Sequence, residues 1–579
     1  MSTHGGGRIQ VAVLVGALTL LAALPGVLVA LTDGGPSVFM DEAFYRDQAV
    51  SIANFGPYAN PHYPPVYPAL LALAYLTSAP FRAMLVLNVV AGALIVPATW
   101  WLASELRLRH RWVPTLLSAL LPVHAAFVGY LLSENLALPL FVAGVACAVR
   151  GKRRDAIIFG VALGALHLTR YFFLPVIVVL LVVWLLRVLV TDDRRRWRRA
   201  LLTAAGGYLG MLALWVTYGL LSGYTFGQLW GLSTVEAGVG RSGATVEATL
   251  TWLTQYVSYL VVAAPAAWAL IALCLLQTRW SASLVRRWSP VTAFGAVALT
   301  SVLGYLALAT LHSRGVAYNF PDPSHMQGRY VMHLVPVVLV AACVALERLT
   351  GGERRPGILL TLGVGFSTAG ATWAGWWVLF QGGLWAVPVW GAQLPFNAID
   401  VFAAQDWRTI TMLSLSAVVV PWMAIASVRA AVGLWSAVSV AVLAIGTGEA
   451  LSQPINGLRE RQIAEVVGEQ TSVGSITIWL SDQLAAPTGV TQAMAFWGVD
   501  TTLIDVRVWS GVLDDTVSQA CVTDSPGSDE LWVTSNTTGA EALFRSGPDS
   551  APLGIYRVRP GCMTQVVDDY ERALAATGS

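Results

Sequence analysis

Two adjacent carboxylates, Asp41 and Glu42, open the stretch "MDEAFYRDQAVSIANFGPYANPHYPPVYPALLAL", which follows the uncharged apolar run 11–31. A carboxylate pair can supply a general base and a neighbour that orients it. That chemistry activates a hydroxyl when one oxygen lies within about 3 Å of the proton it removes. The same stretch carries Tyr45, Tyr58, His62, Tyr63 and Tyr67, and Pro61, Pro64, Pro65 and Pro68 stiffen its end. Further along, Glu134 stands in "LLSENLALP", Arg170 in "LTRYFFLP" and Arg314 in "LHSRG". "HMQGRYVMHLVP" holds His325, Gln327, Arg329 and Tyr330. Arginine suits phosphate oxygens, because its planar fork donates two parallel hydrogen bonds and stays charged. Each of these residues also has a plain structural reading. Acidic residues are solvated or favour helix amino-termini, aromatics form interfacial belts, and arginines snorkel from helix ends.

The elements that must position these residues are membrane helices. The chain is 56% hydrophobic and 12% charged, with a mean hydropathy of +0.63, whereas soluble domains carry about 25% charged residues. Run 11–31 is long enough to cross a hydrocarbon core about 30 Å thick. Runs of similar length recur to residue 450 and are too long for barrel strands. The expected spans lie near 11–31, 83–104, 112–131, 136–150, 156–170, 172–190, 200–221, 256–277, 290–311, 330–348, 358–380, 409–428 and 431–450. The fold class expected is therefore a polytopic α-helical membrane protein with about 13 transmembrane helices.

Sidedness follows from the arginines. "RLRHR" (107–111), "RGKRR" (150–154), "DDRRRWRR" (192–199), "RRW" (286–288) and "GGERRP" (351–356) fall on alternate loops, as cytoplasmic loops do. These clusters are read as topogenic, and no nucleic-acid partner is expected. Arginine so dominates that Lys152 is the sole lysine, which fits a GC-rich source. The expected location is the bacterial cytoplasmic membrane, with a cytoplasmic amino terminus. The long first loop 32–82, Glu134, Arg170 and the region 312–329 then face outward.

The chain divides by composition into a membrane domain, 1–454, and a polar segment, 455–579. The latter has β-like runs at 475–481, 501–509, 530–535 and 553–558 and a helical or loop run at 457–470, a pattern expected of a small extracytoplasmic α/β domain. Cys147, Cys274 and Cys343 lie in spans as apolar packing residues. Cys521 and Cys562 lie in the outer segment, where oxidation favours a disulfide over two thiols. Trp479, Trp497, Trp509 and Trp532 are either core or glycan-stacking residues.

"MDEAFY" directly after the first span, with a loop ending "HYPPVYPALLAL", resembles the polyprenyl-phosphate-dependent membrane glycosyltransferases of C-type (GT-C) fold. The pattern is nearest to protein O-mannosyltransferases and the aminoarabinose transferases that modify lipid A, and is also similar to actinobacterial cell-wall arabinosyl- and mannosyltransferases. "LSENLALPLFVAG", "LTRYFFLPVIVVL" and "HMQGRYVMHLVPVVL" add local likenesses in the same order. The likeness is strongest over residues 1–200. It implies an inverting transfer of a sugar, arabinofuranose or mannose, from a polyprenyl-phosphate donor to a glycan, lipoglycan or protein hydroxyl on the outer face. Asp41 is then the base and Glu42 positions it or the acceptor. Arg170, Arg329 and Arg314 bind the donor phosphate, and Glu134, Tyr63, His62, His325, Gln327 and Tyr330 contact substrate. No metal site is expected and no cofactor, since no ligand spacing such as His-x-x-x-His or Asp-x-Asp is present before the outer segment, so a divalent ion is the less favoured branch. A transporter or lipid flippase is the competing class, but it calls for charges in mid-span and matching halves. A non-catalytic, polysaccharide-binding assembly protein is the third.

Overall fold

A computed structural model describes residues 4–31, 40–58, 60–121, 131–191, 194–230, 246–277, 289–316, 330–351, 356–381 and 407–471, together with 475–481, 503–509, 521, 530–534, 544–546, 553–562, 564–565, 568 and 572. It separates into two compact units. The first comprises 1–31, 44–385 and 395–451, and the second 32–43, 386–394 and 452–579.

The first unit is a helical membrane bundle. Among the described residues, nine helices are long and apolar enough to cross a bilayer, and ten if a bent pair counts as one span. The three other expected spans fall on helices of fewer than 18 residues: α6 (Trp112–Ala119), α7 (Glu134–Arg150) and α8 (Ala156–His167). Leucines such as Leu214 and Leu359, 75% and 87% exposed, form the lipid-facing surface.

The expected single span at 256–277 is corrected. Helices α12 (Val246–Ala263) and α13 (Pro265–Gln277) meet at 94° across Ala264. The cause is local, because the proline ring disfavours helical backbone at the preceding residue while suiting the first position of a new helix. Apolar composition continues through the break, so hydropathy alone does not show it.

The long first loop is itself helical. It holds α2 (Met40–Ala53), α3 (Val66–Ala72) and a 3-10 turn, Leu73–Leu76, before α4 begins at Pro80. Along α2, Glu42, Tyr45, Gln48 and Ala49 are buried, a helical stripe of spacing three and four. Close helix packing sets the frame for the next site elements. Helix α8 lies against α10 (Arg194–Leu221), where a Cβ on Gly160 would sit 1.9 Å from the Ala204 carbonyl oxygen and one on Gly207 2.9 Å from that of Ile157. Small residues let membrane helices approach this closely.

The described residues of the second unit include a five-stranded mixed sheet of order β2-β1-β3-β5-β4. Strands β1 (Ile476–Ser481), β2 (Ile504–Trp509) and β3 (Glu530–Thr534) pair in parallel, and β5 (Leu553–Val558) runs antiparallel to β3 and β4 (Phe544–Ser546). Trp479 is buried beneath the Arg507 guanidinium, 5.3 Å from its ring centre. Cys521 and Cys562 are joined by a disulfide. The run 457–470 belongs to one long helix, Val428–Thr471.

Candidate active site

Glu134 is the first residue of α7, where the helix dipole favours a carboxylate. Its side chain is 1% exposed and ion-paired with Arg170. Arg170 reaches it because α8 ends at His167 and the chain turns through an extended Arg170 into the 3-10 turn Tyr171–Phe173. The Arg170 amide donates to Leu166 O (3.1 Å) and its carbonyl accepts from Phe173 N (3.1 Å), so backbone bonds fix the turn on both sides. Phe173 is wholly buried and anchors it.

The pair continues in two directions. On one side the Arg170 guanidinium lies over the Tyr330 ring at 5.9 Å, a cation–π arrangement. Tyr330 stacks on Phe172 (5.2 Å) and meets His312 edge-on (5.1 Å), with His312 Nε2 3.3 Å from the Tyr330 hydroxyl. On the other side Ser133 Oγ donates to Glu134 Oε2 at 3.4 Å and accepts from the Tyr45 hydroxyl at 2.8 Å. Tyr45 brings in the first loop. Its ring packs edge-on against Tyr63 (5.2 Å) and Tyr67 (4.9 Å), and the Tyr67 hydroxyl donates to Asn88 Oδ1 (3.0 Å). A continuous polar and aromatic chain thus runs from Tyr63 through Tyr45, Ser133, Glu134 and Arg170 to Tyr330.

The loop is held there by its backbone. Val66 N donates to Leu168 O at 2.8 Å, which ties the proline element to the turn that carries Arg170. The Tyr58 hydroxyl donates to Tyr63 O (2.8 Å), and the Tyr58 ring packs on Trp215 (4.7 Å). Burial, which disfavours the phenolate, pushes the Tyr58 phenol well above its ordinary value, so it remains a donor. His62 is exposed and touches Tyr63 edge-on at 5.2 Å.

The structure thus groups Glu134, Arg170 and Tyr330, and places Tyr63 and His62 on the tyrosine cluster that reaches them. Glu42 is fully buried in the first turn of α2. Asp41 lies in the same turn and Arg314 near the end of helix Pro290–Val316, with only their backbones described. His325, Gln327 and Arg329 lie outside the described residues. Sequence reasoning did not single out Ser133, Phe172 or Asn88, and it named Tyr45 only among the loop aromatics. Ser133 and Phe172 stand inside quoted motifs, whereas Asn88 lies outside all of them and carried no signal. Among the described residues no three of His, Cys, Asp and Glu converge as metal ligands do.

Solved structures give the architecture a precedent. ArnT from Cupriavidus metallidurans bound to undecaprenyl phosphate aligns with 95% of this chain and 98% of its own, at a TM-score of 0.51 and 14% identity. The same protein in the apo state aligns over the same shares, with a TM-score of 0.51 and 16% identity. The chain has an ArnT-like fold. The likeness to C-type membrane glycosyltransferases read from "MDEAFY" and "HYPPVYP" is therefore met by the fold, almost end to end. No protein-family model matches the sequence, and no curated protein does.

Proposed function

We propose that this protein is an inverting membrane glycosyltransferase that moves a sugar from a polyprenyl-phosphate donor to a hydroxyl acceptor. The observation that carries the reading is the buried Glu134–Arg170 pair, joined to the tyrosine cluster of the first loop and to Tyr330. The ArnT-like fold supports it, since one ArnT structure holds undecaprenyl phosphate.

In this reading Asp41 takes the proton of the acceptor hydroxyl as that oxygen attacks the anomeric carbon. The bond from that carbon to the phosphate oxygen breaks, and polyprenyl phosphate leaves with the electron pair. A phosphate leaves as a stable anion, so no protonated acid and no protein nucleophile are required. Arg170, with Arg329 and Arg314, stabilises the charge gathering on that phosphate. Glu134 pairs with the Arg170 guanidinium and fixes its direction, and that guanidinium carries five N–H donors in all. Glu42 positions the base or the acceptor, and Tyr63, His62, His325, Gln327 and Tyr330 line the substrates.

Arabinofuranose or mannose is the sugar we favour, with a cell-envelope glycan, lipoglycan or protein as acceptor on the outer face of the bacterial cytoplasmic membrane. The amino terminus is then cytoplasmic and segment 455–579 extracytoplasmic. The chemistry needs no metal. The test is Asp41→Asn in membranes, assayed with radiolabelled polyprenyl-phosphate sugar. Loss of transfer by about 100-fold or more at normal expression is expected, within the range of general-base contributions. Transfer at the wild-type rate would remove Asp41 from the role.

A further inference from the structure

The end of the bundle remote from Glu134 contains a second built feature. Helix α7 runs from Glu134 at one end to Arg150 at the other, a rise of about 24 Å at 1.5 Å per residue. Beyond Arg150 lies a cavity of about 1010 Å³, a volume at the upper end of ordinary ligand sites. Arg107, Arg111, Arg150, Lys152, Arg153 and Arg154 line it, with Arg187 at its wall, against one carboxylate among the described lining residues, Glu105.

Three observations separate this cavity from a merely topogenic set of charges. First, the carboxylates are already engaged, since Arg150 Nε lies 3.4 Å from Glu105 and 2.9 Å from Asp155. Among the described residues Arg107, Lys152 and Arg153 have no carboxylate within ion-pair distance, and all three are exposed. Second, Arg107 caps the helix Ile95–Glu105 in the left-handed conformation, φ +57°, with Leu108 N donating to Ala103 O at 3.1 Å, and this cap turns the chain at the rim of the cavity. Third, Arg187 is 8% exposed and its Nε donates to Val149 O at 3.3 Å, while Gly151, at φ +58°, lets the chain pass against it. A Cβ on Gly151 would lie 2.4 Å from Arg187 Cβ. A loop that served only to retain positive charge needs no concavity lined by exposed cations outside ion pairs.

We propose that this cavity is a binding site for phosphate groups, separate from the Glu134–Arg170 site and supplied by the head group of an anionic phospholipid. Even with Arg150 and Arg154 paired to carboxylates, the lining cations suit a ligand with more than one negative charge. The position at helix ends suits a lipid, because basic pockets between membrane helices take anionic head groups. A free phosphate compound shares the same chemistry, and the test distinguishes the two sources.

The experiment compares the full-length protein with an Arg107→Gln, Lys152→Gln, Arg153→Gln triple variant in lipid nanodiscs. Discs are either pure phosphatidylcholine or equal parts phosphatidylcholine and phosphatidylglycerol. Native mass spectrometry counts retained phosphatidylglycerol, and thermal unfolding is followed in both discs with and without pyrophosphate. The wild type should retain phosphatidylglycerol and unfold at higher temperature in the mixed discs. The triple variant should hold that lipid about a hundredfold less tightly, on a contribution near fivefold per cation. Protection by pyrophosphate in phosphatidylcholine discs, without selective lipid retention, would assign the site to a soluble phosphate. Absence of both effects in the wild type, or equal effects in the variant, overturns the site. Equal unfolding temperatures in pure phosphatidylcholine establish that the variant is folded. If they differ, Lys152→Gln alone is read by the same mass measurement, and unchanged retention there counts against the site.

Discussion

At the scale of the residue, the Glu134–Arg170 pair is the feature with most at stake. Glu134 is 1% exposed and Arg170 13%, so their ion pair lies largely out of water. Breaking a buried ion pair by removing one partner costs about 3–5 kcal/mol. Arg170→Gln should therefore lower the unfolding temperature sharply. Arg170→Gln combined with Glu134→Gln should recover most of it, because both charges of the pair are removed together. If Arg170 also serves the donor phosphate, transfer stays impaired in the stable double variant, with the donor KM raised more than the acceptor KM. Thermal unfolding together with steady-state kinetics on both substrates checks this. Recovery of activity along with stability would confine the pair to a structural role. The pairing was not legible in the sequence. Glu134 and Arg170 were each recognised, but they lie in separate motifs and were given separate roles, substrate contact and donor-phosphate binding. Nothing in hydropathy or spacing shows that one neutralises the other.

At the scale of the element, the contact between α8 and α10 is governed by side-chain absence. A methyl group at Gly160 would collide with the Ala204 carbonyl at 1.9 Å, whereas at Gly206 nothing lies within 4 Å. Gly160→Ala should destabilise by about 1–3 kcal/mol through overpacking. Gly206→Ala, in the same helix pair, should be neutral or stabilising by up to about 1 kcal/mol, since it only reduces backbone freedom. Thermal unfolding in detergent compares them; equal shifts would refute the close approach. Because α8 leads directly into the Arg170 turn, Gly160→Ala should also reduce transfer. The helices themselves were largely readable, since a run that must cross hydrocarbon announces itself by length and lack of charge. What escaped were features that leave hydropathy unchanged or mixed. The 94° turn at Ala264 interrupts an apolar run. Helices α2 and α3 lie in a loop whose polar and aromatic residues conceal their period.

At the scale of the whole molecule, the helical unit carries polar structure at both ends of α7. At one end stands the Glu134–Arg170 pair, and at the other Arg150 bridges Glu105 and Asp155. One continuous helix of 17 residues connects them. Its charged termini are pinned to different neighbours, so it cannot slide along its axis without breaking a pair. The distance between those anchors, about 24 Å, then acts as a gauge of membrane thickness, shorter than the roughly 30 Å of an average hydrocarbon core. A bilayer thicker than the gauge must thin around the protein or draw one anchor into acyl chains, at a fraction of a kcal/mol per Å. Reconstituted in phosphatidylcholines of increasing chain length, the protein should work fastest in thin membranes and lose activity as the chains lengthen. A rate independent of chain length would show that neighbouring helices absorb the mismatch.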